Sequence, residues 1–83
     1  MSEILNMADL GKTIRAERKA RKLTQAGLAK LAGLSRQTII SLEDGNDASL
    51  LTIMKILLAM NLRLDLRPAT LDFSQLGKLL DEA

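Results

Sequence analysis

The chain contains no cysteine and no histidine in 83 residues. Without cysteine there is no disulfide and no thiolate nucleophile, and without either residue an ordinary zinc site is excluded. The imidazole base of most proton-transfer enzymes is missing too. Ser, Asp and Glu are present, but no spacing gathers them into a catalytic arrangement, so neither an enzyme nor a cofactor is expected. Tryptophan and tyrosine are also absent, and Phe73 is the only aromatic residue. Single-strand binders and RNA-reading sheets stack bases on several aromatic rings, so a nucleic-acid partner of this chain would be a duplex. The longest apolar run is far too short to span a bilayer and no signal-peptide pattern opens the chain, which points to the cytoplasm and away from membranes.

What is present suffices for one small domain. The hydrophobic share is 47%, enough to fold, although a chain this short buries a core that is only just adequate. The net charge of +2 hides a strong asymmetry. Between Ala8 and Ser41 stand Lys12, Arg15, Arg18, Lys19, Arg21, Lys22, Lys30 and Arg36, opposed only by Asp9 and Glu17. From Leu42 onward the acids outnumber the bases, seven to four. Alone, the basic half reads equally well as a solvated helix face or as a surface for phosphate.

The segment Thr24 to Gly45, TQAGLAKLAGLSRQTIISLEDG, decides between them. Thr24 can cap a helix in which Leu28, Ala29, Leu31 and Ala32 recur at helical spacing. Gly33 ends that helix where a positive φ costs least, Leu34 plugs the turn, and Ser35 caps the next helix. Ile39 and Leu42 face inward, leaving Arg36, Gln37, Thr38 and Ser41 outside. Asp44-Gly45 closes the unit with a turn. A plain helical hairpin would also show glycine punctuation. The four-residue connection, the small Ala29 at the crossing and the polar first turn of the second helix together favour a unit that lays a helix in the DNA major groove.

These residues carry a resemblance. Ile14, Arg18, Leu23-Thr24-Gln25, Leu28-Ala29, Gly33-Leu34-Ser35, Ile39, Ser41, Glu43 and Gly45, followed by Ser49 to Ile53, Lys55 and Ala59, resemble the helix-turn-helix domain of phage repressors and Cro proteins. The resemblance implies a mainly all-α, lambda-repressor-like bundle of five helices or close to it. It also implies a homodimer on a palindromic operator in double-stranded DNA, and a recognition helix beginning at Ser35. Two residues depart from the pattern. Lys22 replaces the usual glycine and must take a strained turn or shift the helix end, and Gly27 sits inside a helix at a cost of about 1 kcal/mol relative to alanine.

Roles within the motif divide between reading and positioning. Arg36 suits guanine O6 and N7, and Gln37 suits adenine N6 and N7. Ser41 one turn on is a third base contact, and Ile40 meets a thymine methyl. Gln25, Ser35, Thr38 and Asn46 are expected on phosphates. The family pairs the positions of Arg18 and Glu43, so this ion pair is expected to orient the recognition helix, with Arg18 a further candidate for phosphate.

The remaining chain argues for a dimer. Ser49 can cap a helix from Leu50 to Met60 that is apolar on more than one face, and such a helix needs two partners. Asn61 suits its left-handed end. Leu62-Arg63-Leu64-Asp65-Leu66-Arg67-Pro68 then alternates strictly, a strand signal whose backbone wants a partner. It either lies along its own domain or pairs antiparallel with its copy. A two-fold axis at Leu64 would set Arg63 opposite Asp65, the better charge pairing. The expected interface is Leu57, Met60, Leu62, Arg63, Leu64, Asp65 and Leu66.

A helix followed by such a strand resembles HipB-type antitoxins. That resemblance implies a repressor of its own operon that also binds a cognate, kinase-type toxin. The organisation is therefore a DNA-binding domain over 8–61, an intersubunit strand over 62–68 and a tail over 69–83. The tail holds Leu71, Phe73, Leu76, Leu79 and Leu80; it either packs on the dimer or orders on a partner. Ile4, Leu5 and Met7 pack or fray. A stand-alone phage-type repressor, or an adaptor without specific DNA binding, stays open beside the antitoxin.

Overall fold

The computed structural model of the chain describes residues 4–68. Four helices follow one another: α1 (Met7–Ala20), α2 (Gln25–Ala32), α3 (Arg36–Glu43) and α4 (Leu50–Ala59). No strand forms among the described residues, and the tail expected over 69–83 lies outside them.

Each helix starts where a side chain satisfies a backbone N–H that the helix leaves over. Asn6 accepts from the Asp9 amide at 2.8 Å and opens α1. Thr24, Ser35 and Ser49 do the same for α2, α3 and α4. The α1 start therefore precedes the boundary expected at residue 8, because the Asn6 cap draws Met7 into the first turn, where it packs on the core.

The helix ends are equally local. Gly33 closes α2 in the left-handed region at φ 69°, and the α2–α3 connection is Gly33–Ser35, three residues rather than four. Lys22 and Asn61 are the non-glycine residues with positive φ, at 57° and 60°. Lys22 thus takes the strained alternative: α1 ends as if glycine stood there.

The core draws on every helix. Leu10 and Ile14 of α1 meet Leu28 and Ala29 of α2, Ile39 and Leu42 of α3, and Ile53, Ile56, Leu57 and Met60 of the α4 region. Ile14, Leu28, Ile39, Leu42 and Ile56 are fully enclosed, each contributing on the order of 1.5–3 kcal/mol by leaving water. Of the interface residues expected on α4, Leu57 and Met60 face the chain's own core, while Leu50, Leu51, Met54 and Leu58 stand in solvent. Successive helical positions are about 100° apart, so the neighbours Leu57 and Leu58 cannot share a face.

One close approach sets the tilt of α1 on α3. A Cβ on Gly11 would lie 2.4 Å from the Leu42 carbonyl oxygen and 2.8 Å from that of Glu43. Only glycine lets the middle of α1 rest against the end of α3.

Replacing Lys22 with glycine removes the left-handed strain without touching the core. Lys22→Gly is expected to raise stability by about 1 kcal/mol in urea unfolding; a lower midpoint would contradict the strained turn.

Candidate nucleic-acid interface

The second and third helices form the bihelical unit, and a buried ion pair fixes its orientation. Arg18 donates from Nε to Glu43 Oε2 at 2.8 Å and from Nη2 to Glu43 Oε1 at 2.9 Å. Its Nη1 donates to the Leu23 carbonyl at 2.9 Å. The two side chains are only 9% and 3% exposed. A forked, nearly dry pair of this kind is directional as well as strong. Hydrogen bonding to Glu43 raises the Arg18 pKa above its ordinary value, outweighing the opposite pull of burial. The guanidinium keeps its charge wherever the domain is folded.

Three elements meet at this pair. Arg18 comes from α1, its Leu23 contact from the approach to α2, and Glu43 from the last turn of α3. Gln25, in the first turn of α2, adds its Nε2 on Glu43 Oε1 at 3.3 Å. Arg18, expected also as a phosphate contact, is enclosed, and each of its three nitrogens donates a hydrogen bond inside the protein. Gln25 is half-buried and already engaged with Glu43, which aims its amide from the helix start.

The exposed part of the expected reading surface is narrower than the sequence indicates. Ser35, Arg36 and Gln37 are exposed at the start of α3. Thr38, Ile40 and Ser41 are half-buried. Ser35 Oγ and Thr38 Oγ1 lie 2.8 Å apart, and the Thr38 amide donates to the Ser35 hydroxyl at 3.1 Å. Thr38 and Ser41 turn into an open cleft between α3 and the start of α4, which Asp47, Ser49 and Thr52 line from the other side. Asn46 is exposed in the loop after α3, where its amide donates to the Ser41 carbonyl at 3.1 Å.

Arg21 has a role that sequence did not disclose. Its Nε donates to the Met60 carbonyl at 3.0 Å, and its Nη1 to the Glu17 carbonyl and carboxylate at 2.9 and 2.5 Å. It ties the end of α4 to the end of α1. The long sequence separation of Arg21 and Met60 left no local signal of this contact.

A helix capped by serine, crossing a partner at a small residue and showing Arg and Gln from its first turn, is the reading head of a major-groove binder. The family model for helix-turn-helix proteins matches residues 14–66, more than half of the chain. The chain belongs to the helix-turn-helix family, the Cro-type group of DNA-binding transcriptional regulators, which are not enzymes. No curated protein is detectably similar to it.

Solved structures narrow the comparison. The restriction-modification controller protein C.AhdI from Aeromonas hydrophila is 33% identical, with 69% of this chain and 88% of that one covered and a TM-score of 0.66. A HipB variant in complex with an O2 20-mer is 30% identical, covering 84% of this chain and 99% of that one, at a TM-score of 0.77. HipB in a HipA–HipB–O2–O3 complex is 27% identical, covering 84% and 100%, at a TM-score of 0.76. Among the described residues, no helix is long and apolar enough to cross a membrane.

The ion pair carries its own test. Glu43→Ala leaves the Arg18 charge enclosed without its carboxylate, which costs on the order of 3–5 kcal/mol. Thermal unfolding should fall steeply and DNA affinity with it; an unchanged melting temperature would refute the pair's structural role.

Proposed function

We propose that the chain is a two-fold dimeric, sequence-specific repressor, the autoregulating antitoxin of a toxin–antitoxin operon. The observation that carries the DNA reading is the exposure of Arg36 and Gln37 on a helix whose far end is clamped by Arg18 and Glu43. Arg36 reads guanine and Gln37 adenine, each with two hydrogen bonds. Gln25, Ser35 and Asn46 hold phosphates on either side of that reading turn. Thr38, Ile40 and Ser41, half-buried, give lesser contacts at the groove wall.

The second copy covers the outward face of α4. Leu50, Leu51 and Leu58 are each more than 60% exposed there, and a small groove between Met54, Leu57, Leu58, Leu62 and Leu64 continues that face into the segment after the helix. Residues 62–68 then pair with their copy, and the axis at Leu64 brings Arg63 to the partner's carboxylates. In the single chain Asp65 instead holds Arg67 at 3.2 Å, an exposed pair weak enough to be exchanged. Leu57 and Met60 support this interface from beneath.

The toxin reading rests on likeness to HipB, whose structures include a complex with HipA. Its setting would be the cytoplasm, where operon DNA and toxin are both at hand. The similarity to C.AhdI favours a second reading, a stand-alone regulator without a toxin.

Selection from a randomised duplex library tests the DNA reading. The wild type should enrich two inverted half-sites about one helical turn apart. Arg36→Ala should lose preference at one position per half-site, a relaxation of about 1–3 kcal/mol. A flat pool from the wild type would sink the repressor, and uniform weakening by the variant would make Arg36 a phosphate contact. Expression of the adjacent reading frame tests the antitoxin: growth arrest reversed by this chain is expected, and arrest it leaves unrelieved would favour the stand-alone regulator.

A further inference from the structure

Helix α1 carries a cationic row that the base-reading surface does not use. Lys12, Arg15 and Lys19 are all exposed. At about 100° per residue they fall within an arc of roughly 60°. None has an ion-pair partner among the described residues, unlike Arg18 and Arg21. Lys22, exposed in its left-handed turn, follows at the helix end.

The row is tied at both ends to the DNA-facing unit. Ala8 lies on the same arc, and its Cα would be 3.2 Å from a Cβ on Gly45. That end of the row therefore starts beside the loop that carries Asn46. The other end runs through Lys22 into Thr24 and Gln25, where Gln25 meets Glu43. Gly11, against the Leu42 and Glu43 carbonyls, holds the middle of α1 on the end of α3. The row flanks this contact of α1 with α3 on one side, between the Asn46 loop and Gln25, the two points proposed above to hold phosphate. From Lys12 to Lys19 it is about 10 Å long at 1.5 Å per residue. Each DNA strand presents one phosphate per roughly 3.4 Å of axis, so several phosphates lie within reach.

We infer that Lys12, Arg15 and Lys19 form a rail for the phosphodiester backbone that flanks the base-read half-site. The inference rests on the DNA reading above and extends it to duplex that α3 does not touch. Such a rail adds affinity and salt dependence on every sequence while leaving base preference to Arg36 and Gln37. An acidic protein surface is the alternative occupant; the row's continuity with the phosphate-facing loop and with Gln25 favours DNA.

The test combines Lys12→Gln, Arg15→Gln and Lys19→Gln in the full chain. The probes are the duplex enriched from the library and a mixed-sequence duplex three helical turns long. With thermal stability unchanged, the slope of log K against log salt should become shallower by about 0.9 for each phosphate lost, on both duplexes. Hydroxyl-radical protection should vanish on the flanking backbone and persist over the half-site. The charge-conserving set Lys12→Arg, Arg15→Lys and Lys19→Arg should retain slope and footprint. An unchanged slope overturns the rail, and so does a shallower slope with flanking protection intact, which would be a long-range charge effect. A wild-type chain that binds neither duplex at low salt overturns the DNA reading itself, and the rail with it.

Discussion

Everything that faces outward in this domain depends on one inward contact, the forked pair between Arg18 and Glu43. It is the point where α1, the entry to α2 and the last turn of α3 share atoms. Apolar packing brings these helices together without fixing their angles closely. A pair with two short bonds and a third to the Leu23 carbonyl fixes them to within a hydrogen bond's tolerance. The cost of drying two charges is met because every buried side-chain polar atom among the described residues has a partner. Gly11 serves the same geometry from the steric side, since α1 approaches the end of α3 only where no Cβ intervenes.

That arrangement separates holding from reading. Glu43 is clamped at one end of α3, and Arg36 and Gln37 stand free at the other, seven and six residues away. The reading turn is thereby left to exposed side chains, while the angle of the helix is set by groups that water cannot reach. Arg21 repeats the device on a smaller scale by holding the end of α4. Arginine thus takes three settings in one small domain: the enclosed clamp of Arg18, the surface tie of Arg21 and the exposed side chain of Arg36. Charge counting along the sequence cannot separate them.

Local signals were the legible ones. Thr24, Gly33, Ser35, Ser49 and Asn61 each govern a helix end through their own backbone and side chain, and each does what its residue type predicts. The inward positions Leu28, Ile39 and Leu42 follow from period alone. The Arg18–Glu43 pair was legible only through resemblance, because the two lie 25 positions apart. Contacts with no such precedent stayed hidden, among them Arg21 on Met60 and Gly11 on the Leu42 carbonyl. The apolar richness of α4 does not give its phase: Ile53, Ile56, Leu57 and Met60 turn to the core, while Leu50, Leu51 and Leu58 are exposed. Asn6 was passed over because a lone cap before a weak apolar stripe has no periodic partner to mark it. No strand forms over 62–68 in the single chain, where the alternating pattern has no neighbouring backbone to pair with, and the tail beyond it lies outside the described residues.

The buried pair of Arg18 and Glu43 sets the orientation of α3. The most direct test is a double-mutant cycle with Arg18→Met, Glu43→Leu and both together, read in unfolding free energy and in affinity for the enriched duplex. Each single change should cost several kcal/mol, the double change well under their sum, and the coupling should appear in both readouts. Additive effects on stability, or single variants that bind the duplex as tightly as the wild type, would contradict it.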